Sequence, residues 1–468
     1  MAVDFSKAFD TVNHTSLLRS IHESSMDANT IRWLNTYLRG RTASCIYNGS
    51  KSSSVIIRQG VPQGSCLSPM LFNSYVSSYP HTANLVTSYA DDFTAAASDE
   101  NVDEATTTMA THATHVEAWA RERALQVSAQ KSTVTLFTSQ TQQSEFHPLI
   151  PMGGCPLPLE PHPKILGVTF DTHFNFRKHV NILVSKAKQK LYMLRALTGT
   201  TWGQQKETLV ATYKAIIDSI FSYACPVWFP NVSSTNVEKL QKVQNAALRI
   251  ATGCTMMSSV DHLHMEAEIM TVGEHLDMLC AQFLASCLQP SHPSYPIVTA
   301  HSGPRTMKHT LQSRYSAQVE VFKGEDGSIA DAKTAQSTIH RLAVEESIRA
   351  RGSNRVLGTP PPPINPEEED LSRKTRRILS QLRSNFCPAL QSYQHRINRT
   401  IPDICPCCRQ NEHSVQHVFE CSVHPTDLTP RDLWTRPSMV AEFLRNLPFF
   451  DLREQERPPP EPPPQNFQ

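Results

Sequence analysis

Over roughly the first hundred residues, short apolar runs alternate with helical and turn signals: AVDFSKAFD, a helical period over 31–38, then SCIYNG, SVIIRQG and TSYADDF. That alternation predicts mixed helix and strand. From 101 to about 125, Ala105, Met109, Ala113, Val116, Trp119 and Ala120 recur at helical spacing, and a strand is predicted at 133–137. The plain expectation is a helix packed on a sheet. After KILGVTF the pattern changes: Val180, Leu183, Val184, Ala187, Leu191 and Leu194 form one helical stripe, with Lys186, Lys188 and Lys190 mostly off it. A helix over about 207–223 should end before Cys225-Pro226. Another should start at the capping box Thr235-x-x-Glu238 and run through Leu240, Val243, Ala247 and Ile250 to a stop near Gly253. This region reads as an all-α module.

Residues 352–369, GSNRVLGTPPPPINPEEE, join a polyproline run to three acidic residues and predict an exposed linker; the terminal PPPEPPPQNFQ predicts a similar tail. No internal repeat is visible, nor an RNase H pattern in residues 300–400. At 468 residues the chain is long enough for two or three domains. With 39% apolar and 19% charged residues it reads as globular. The net charge of +1 means that any basic face is local and offset elsewhere, so composition by itself does not argue for nucleic acid. Most of the twelve cysteines are scattered, and four lie close together near the C-terminus, which suits a reducing compartment and one metal site better than a disulfide framework. No run approaches the ~18 apolar residues of a membrane span, and MAVDFSKAFD reads neither as a signal peptide nor as a transit segment. These features predict an intracellular, soluble protein.

The candidate chemistry lies in three carboxylates. Nucleotidyl transfer to a hydroxyl uses two divalent cations about 4 Å apart, held by hard oxygen ligands from a few aspartates. Asp91-Asp92, between TSYA and FTAAA, fits a hairpin, and Asp4, after a short apolar strand, fits the neighbouring strand. An Asp-Asp pair alone is ordinarily a solvated turn, so its surroundings decide. Those surroundings form an ordered series: VDFSKAFDTVNH (3–14), QGVPQGSCLSPMLFN (59–73), YADDF (89–93), AQKSTVTLF (129–137) and KILGVTFD (164–171). In order and spacing this series resembles motifs A to D and the primer grip of reverse transcriptases from non-LTR (LINE-like) retrotransposons, the jockey-like group above all. A weaker likeness continues through LQKVQNAALRIATG into the C-terminal cysteines.

The resemblance implies a fold of the α+β class: a polymerase palm with an antiparallel sheet over 1–172, a helical thumb and connection over 173–350, a Pro/Glu-rich linker over 351–372, a CCHC zinc-binding region over 373–450 and a tail over 451–468. It implies RNA-directed DNA polymerase activity. Two Mg²⁺ would be held by Asp4, Asp91 and Asp92, with an RNA template, a DNA primer or target DNA and deoxynucleoside triphosphates as partners and no membrane. It also implies work in the nucleus and cytoplasm. Phe9 matches the steric gate against a 2′-hydroxyl, though a core aromatic is the plainer reading. Asp10 ends motif A and reads as a hydrogen-bonding residue. Pro62-Gln63-Gly64 matches the turn beside the nascent base pair, where Gln63 contacts template or nucleotide and Gly64 allows close approach. Lys131 matches a proton donor to pyrophosphate, and a solvated lysine is the alternative. Leu166-Gly167 matches the turn holding the primer end, against a strand bulge. Lys186, Lys188, Lys190, Lys239, Lys242 and Arg249 could track phosphates of an RNA–DNA hybrid, or be solvated helix faces.

In CPCCRQNEHSVQHVFEC (405–421), Cys405-x₂-Cys408-x₈-His417-x₃-Cys421 supplies three thiolates and an imidazole for a closed tetrahedral Zn²⁺. Cys407 and His413 are competing ligands. Binding would supply folding energy to this small segment, as a clip or as a grip on nucleic acid. The likeness starts inside motif A, whereas complete relatives carry fingers, earlier palm strands and usually an endonuclease before it. The expectation is therefore a chain truncated within motif A, with Asp4 on a nearly absent strand. The alternative function is a non-catalytic nucleic-acid-binding remnant using the thumb helices and the zinc element.

Overall fold

The computed structural model describes residues 1–24, 26–138, 140–143, 145–199, 202–300 and 310–452; the expected proline-rich tail lies, from residue 453 on, outside them. The chain divides into two units, Met1–Phe174 and Asn175–Gln468.

In the first unit, β1 (Ala2–Val3) is followed by α1 (His14–Glu23) and α2 (Ala28–Leu38), then by the short strands β2 (Thr42–Ala43), β3 (Ile46–Tyr47), β4 (Ser50–Lys51) and β5 (Val55–Ile56). Next come α3 (Ser68–Val76), β6 (Leu85–Tyr89), β7 (Asp92–Ala96) and α4 (Val102–Glu122). Two hairpins close it, β8 (Pro151–Met152) with β9 (Cys155–Pro156) and β10 (Lys164–Ile165) with β11 (Val168–Thr169). The main sheet is antiparallel with order β1-β7-β6. Strand alternation decides its faces: Val3 and Phe5 are buried while Asp4 between them is only half-buried, and Phe93 and Ala95 are buried while Asp92 is exposed. Met109, Ala113, Val116, Trp119 and Ala120 of α4 are buried, the stripe predicted from spacing. Phe5 meets the edges of Phe93 and Trp119, and Tyr79 stacks on Phe93 at 4.4 Å. Each such ring contributes about 1.5–3 kcal/mol of burial.

The strand predicted at 133–137 does not form. Thr133 makes a lone bridge to Ala2, and Val134 turns to Leu159 instead, so no continuous ladder develops on either side. The strand expected in AVDFSKAFD is cut to two residues because the chain turns at Lys7, whose φ is +51°, and Asp10 N–H bonds the Lys7 carbonyl.

The second unit is helical. It begins with α5 (Arg177–Ala196), whose predicted stripe is buried at Val180, Leu183, Ala187, Leu191 and Leu194. The helix expected over about 207–223 is a continuous run of α6 (Lys206–Tyr213), a π-helical segment (Lys214–Asp218) and α7 (Ser219–Ser222). After α8 (Cys225–Trp228) comes α9 (Ser234–Thr252), which stops at Gly253 in the left-handed region, φ +75°, as predicted. Its capping box is absent, since Ser233 occupies the N-cap and puts Thr235 inside the first turn. A capping box exists instead at Thr271 and Glu274, before α11 (Val272–Cys287), which follows α10 (Val260–Ala267). Then come α12 (Tyr295–Thr299), α13 (Leu311–Val319) and α14 (Ala332–Ala350).

The segment predicted as an exposed linker is partly a packed element. Pro366–Asp370 forms a 3₁₀ turn, and Glu368 is buried against Arg383 of α15 (Arg373–Arg383). Arg383 also bonds Glu266 Oε1 at 3.0 Å and the Leu433 carbonyl. A buried carboxylate needs such a partner, and removing one member of a buried pair costs about 3–5 kcal/mol. Burial alone would raise the Glu266 pKa; Arg383 and then Lys206 outweigh it and hold the carboxyl below its ordinary range. Beyond α15 and α16 (Gln391–Ile397), the helices α17 (Val415–Glu420), α18 (Asp432–Thr435) and α19 (Pro437–Arg445) gather around Leu379, Leu382, Val418, Phe419, Trp434 and Leu444. No described helix is long and apolar enough to cross a membrane.

Candidate functional site

The β6–β7 hairpin closes through the pair Tyr89↔Asp92, leaving Ala90 and Asp91 as its two-residue turn. Ala90 has φ +53°, a strained value for a residue with a Cβ, and strain of this kind concentrates at functional turns. Asp91 and Asp92 are thereby both exposed at the end of the sheet. On the neighbouring strand Val3 pairs with Phe93, so the antiparallel register brings Asp4 level with Asp92.

Although β1 is short, Asp4 is held on its other side. Its N–H donates to Ser132 Oγ at 3.0 Å, and its carbonyl accepts from Ser128 N–H at 2.8 Å. The strand is as short as expected, and the 127–133 segment adds support through the bridges Ala2↔Thr133 and Phe5↔Val127. The Asp92 carboxyl is raised above its ordinary pKa by burial first, then by the charges of Asp91 and Asp4. Asp4 Oδ2 has no hydrogen-bond partner and lies 3.9 Å from Lys131 Nζ. At that distance, with the lysine mostly exposed, the pair is a weak, screened contact.

The loop after Asp4 is clamped to the turn before α3. Val61 N–H bonds the Phe9 carbonyl at 2.9 Å, Gly60 N–H bonds the Val12 carbonyl at 2.8 Å, and His14 Nε2 donates to the Gly60 carbonyl at 2.8 Å. A Cβ on Gly60, at φ +86°, would sit 2.7 Å from the Asp10 carbonyl oxygen. Gln63 Nε2 donates to Asp10 Oδ1 at 3.0 Å, the hydrogen-bonding role expected of Asp10. Phe9 stacks on Phe72 of α3, 4.2 Å between centroids, which fixes the ring's plane. Gly64 has φ +87° and open space where a side chain would be, so its conformation rather than crowding calls for glycine.

Leu166 and Gly167, at φ +44° and +90°, form the two-residue turn of the β10–β11 hairpin; the bulge alternative is excluded by the pair Ile165↔Val168. Sequence reasoning passed over Gly60, His14, Phe72, Ser128 and Ser132. Gly60 stands in the same QGVPQG run as Gly64, so a signal was present; the serines carry none.

In the second unit the ligand atoms of Cys405, Cys408, His417 and Cys421 all lie within 4.8 Å of one another. Cys405 Sγ is 4.0 Å from Cys421 Sγ, and Cys408 Sγ is 3.2 Å from His417 Nε2. Backbone N–H groups of Gln410 and Asn411, more than His417, pull the Cys408 thiol down to about 6, and thiolate is the ligating form. Of the competing ligands, Cys407 is outside the cluster, and His413 is buried with Nδ1 accepting from Gln391 N–H and its ring against Phe449. Among the possible phosphate-tracking cations, Lys239 bonds Asn181 and Asn236, and Arg249 bonds backbone carbonyls at 255 and 258, while Lys186, Lys188, Lys190 and Lys242 are exposed.

The family model described as reverse transcriptase (RNA-dependent DNA polymerase) matches residues 1–170, the span that carries every one of these carboxylates and turns. Residues 1–170 are thus similar to reverse transcriptase domains. Similarity to non-LTR transposon proteins extends past it. The chain is 28% identical over 283 residues to a probable RNA-directed DNA polymerase from transposon BS of Drosophila melanogaster, covering 58% of this chain and 31% of that protein. It is 25% identical over 307 residues to the corresponding X-element protein of the same fly, covering 62% and 33%. It is 24% identical over 283 residues to the RNA-directed DNA polymerase from mobile element jockey of Drosophila funebris, covering 58% and 30%. The matches thus span about a third of these relatives' length. The matched span combines helices with small antiparallel sheets, in line with the α+β expectation.

Proposed function

We propose that the chain is the polymerase part of a non-LTR retrotransposon reverse transcriptase, extending a DNA primer on an RNA template from deoxynucleoside triphosphates. The observation that carries this reading is the convergence of three carboxylates, Asp4 level with Asp92 across the sheet and Asp91 beside it, inside a reverse transcriptase domain. Asp4, Asp91 and Asp92 would hold two divalent cations, and their chemistry fits: hard oxygens at one end of the sheet, with Asp4 Oδ2 buried and lacking a hydrogen bond. Two Mg²⁺ bound there would activate the primer 3′-hydroxyl and neutralise the leaving pyrophosphate.

The remaining roles belong to the chain's own side chains. Phe9, fixed by Phe72, would press on the sugar of the incoming nucleotide and reject a 2′-hydroxyl. Gln63, steadied by Asp10, would contact template or nucleotide, with Gly64 leaving room for them. Lys131, beside Asp4, would donate a proton to pyrophosphate. Leu166 and Gly167 would hold the primer end at their turn.

The sheet unit would be the palm and the helices after it the thumb, with Lys186, Lys188, Lys190 and Lys242 tracking phosphates. Cys405, Cys408, His417 and Cys421 would hold one structural Zn²⁺. Action at nicked chromosomal DNA would place the protein in the nucleus as well as the cytoplasm. A non-catalytic remnant is not favoured, because a binding remnant has no need of three converging carboxylates. The test is template-dependent synthesis: the purified chain should extend a DNA primer annealed to RNA and should add nothing to the primer alone. Untemplated addition, or none on either substrate, would count against the reading.

A further inference from the structure

Between Asp27 and Asp91 the chain carries no aspartate or glutamate, while Arg32, Arg39, Arg41, Lys51 and Arg58 all fall in the first half of that stretch. In a chain of net charge +1 this is a local field of one sign. The same stretch exposes large apolar side chains. Trp33 is 55% exposed, Ile46 70% and Tyr47 76%. Ile46 and Tyr47 are consecutive in β3 and point to opposite faces, so both faces of the β3–β4 ribbon are uncovered.

Trp33, Tyr37 and Arg41 form an ordered column. The rings of Trp33 and Tyr37 stack at 5.8 Å and 16°, and the Arg41 guanidinium lies 5.0 Å from the Tyr37 centroid. The Tyr37 hydroxyl meets Ser65 Oγ at 2.7 Å, one residue past Gln63-Gly64. The column therefore starts on exposed Trp33 and leads to the turn at the candidate active site.

We propose that the face formed by Trp33, Tyr37, Arg41 and the Tyr47 ribbon binds single-stranded RNA, the unpaired template on its way to the Gln63–Gly64 turn. Cations without a compensating acid select a polyanion. Uncovered ring faces backed by a guanidinium select a polyanion whose bases are free to stack. Duplex RNA presents phosphates but hides its base faces, so it matches only half of the surface. Naming the strand as template rests on the polymerase reading; the binding itself does not.

The experiment measures the affinity of the full chain for fluorescein-labelled oligo(U) by anisotropy across a salt series, without primer, nucleotide or divalent cation. Trp33→Ala and Tyr47→Ala should each weaken binding roughly tenfold, as loss of one stacked base does. Arg41→Ala should lower the salt slope by about one. Because Trp33 and Tyr47 are mostly exposed, their variants should melt with the parent, so that weakened binding reports the surface. Duplex RNA should be held with little change in the two aromatic variants. Unchanged oligo(U) affinity in the Trp33→Ala, Tyr47→Ala double variant would overturn the proposal. So would an equal loss on duplex RNA, or loss of self-association in place of RNA binding. Failure of the polymerase reading is seen separately: oligo(U) binding that depends on Trp33 in a chain that extends no primer would keep the surface and remove the template.

Discussion

The Gln63 side-chain amide donates to the Asp10 carboxylate at 3.0 Å, joining the loop that follows Asp4 to the turn that precedes α3. Both residues are exposed or nearly so, and the bond therefore adds little to stability, about 1 kcal/mol or less. In the proposed site it would aim Gln63. Asp10→Ala should leave the melting temperature close to the parent's while raising the KM for deoxynucleotides several-fold; Asp10→Asn, which can still accept from Gln63, should recover most of the loss. Steady-state incorporation kinetics on the three proteins would check this.

Phe9 is held flat against Phe72, which would give the proposed gate a defined position. Phe9→Val should admit ribonucleotides, reducing the preference for deoxynucleotides on the order of a hundredfold, while deoxynucleotide incorporation falls far less. The measurement is the ratio of kcat/KM for the two nucleotides. An unchanged ratio would leave Phe9 as a core aromatic only.

The cysteine–histidine cluster should carry one Zn²⁺ per chain. Cys421→Ser should abolish tight binding and loosen the helices packed around Phe419 and Trp434, whereas Cys407→Ser, outside the cluster, should retain the metal. Metal content by atomic emission, with helicity followed during chelation, separates the two variants.

His112 is fully buried on α4 with Nδ1 2.8 Å from Thr82 Oγ1, and burial pushes its pKa down to about 4. In the unfolded chain an imidazole titrates near about 6.5. Between those values the unfolded state binds the proton and the folded state does not, so stability is full above the unfolded value and declines as pH falls toward the folded one, by up to about 3 kcal/mol. Urea midpoints at about pH 7.5 and about pH 5 should fall further in the parent than in His112→Gln.

What could be read from the sequence was local. The Asp91-Asp92 hairpin, the Leu166-Gly167 turn, the stripes of α4 and α5 and the clustered Cys405, Cys408, His417 and Cys421 are each specified by neighbours close in sequence. What could not be read depends on distant partners. Asp4 is steadied by Ser128 and Ser132 from the far side of the unit, Gly60 is required by the Asp10 carbonyl, and Glu368 leaves its proline-rich run to meet Arg383. Residues 133–137 look like a strand because they alternate, yet a strand also needs a ladder partner, and theirs changes after one residue.

In the proposed reaction Asp91 and Asp92 perform the chemistry with Asp4. This is tested most directly by comparing extension of a DNA primer on an RNA template, with Mg²⁺, by the parent chain and by the Asp91→Ala, Asp92→Ala double variant. The expected result is extension by the parent and a loss on the order of a thousandfold or more in the variant, with its melting temperature retained. Equal extension by the two proteins would contradict it.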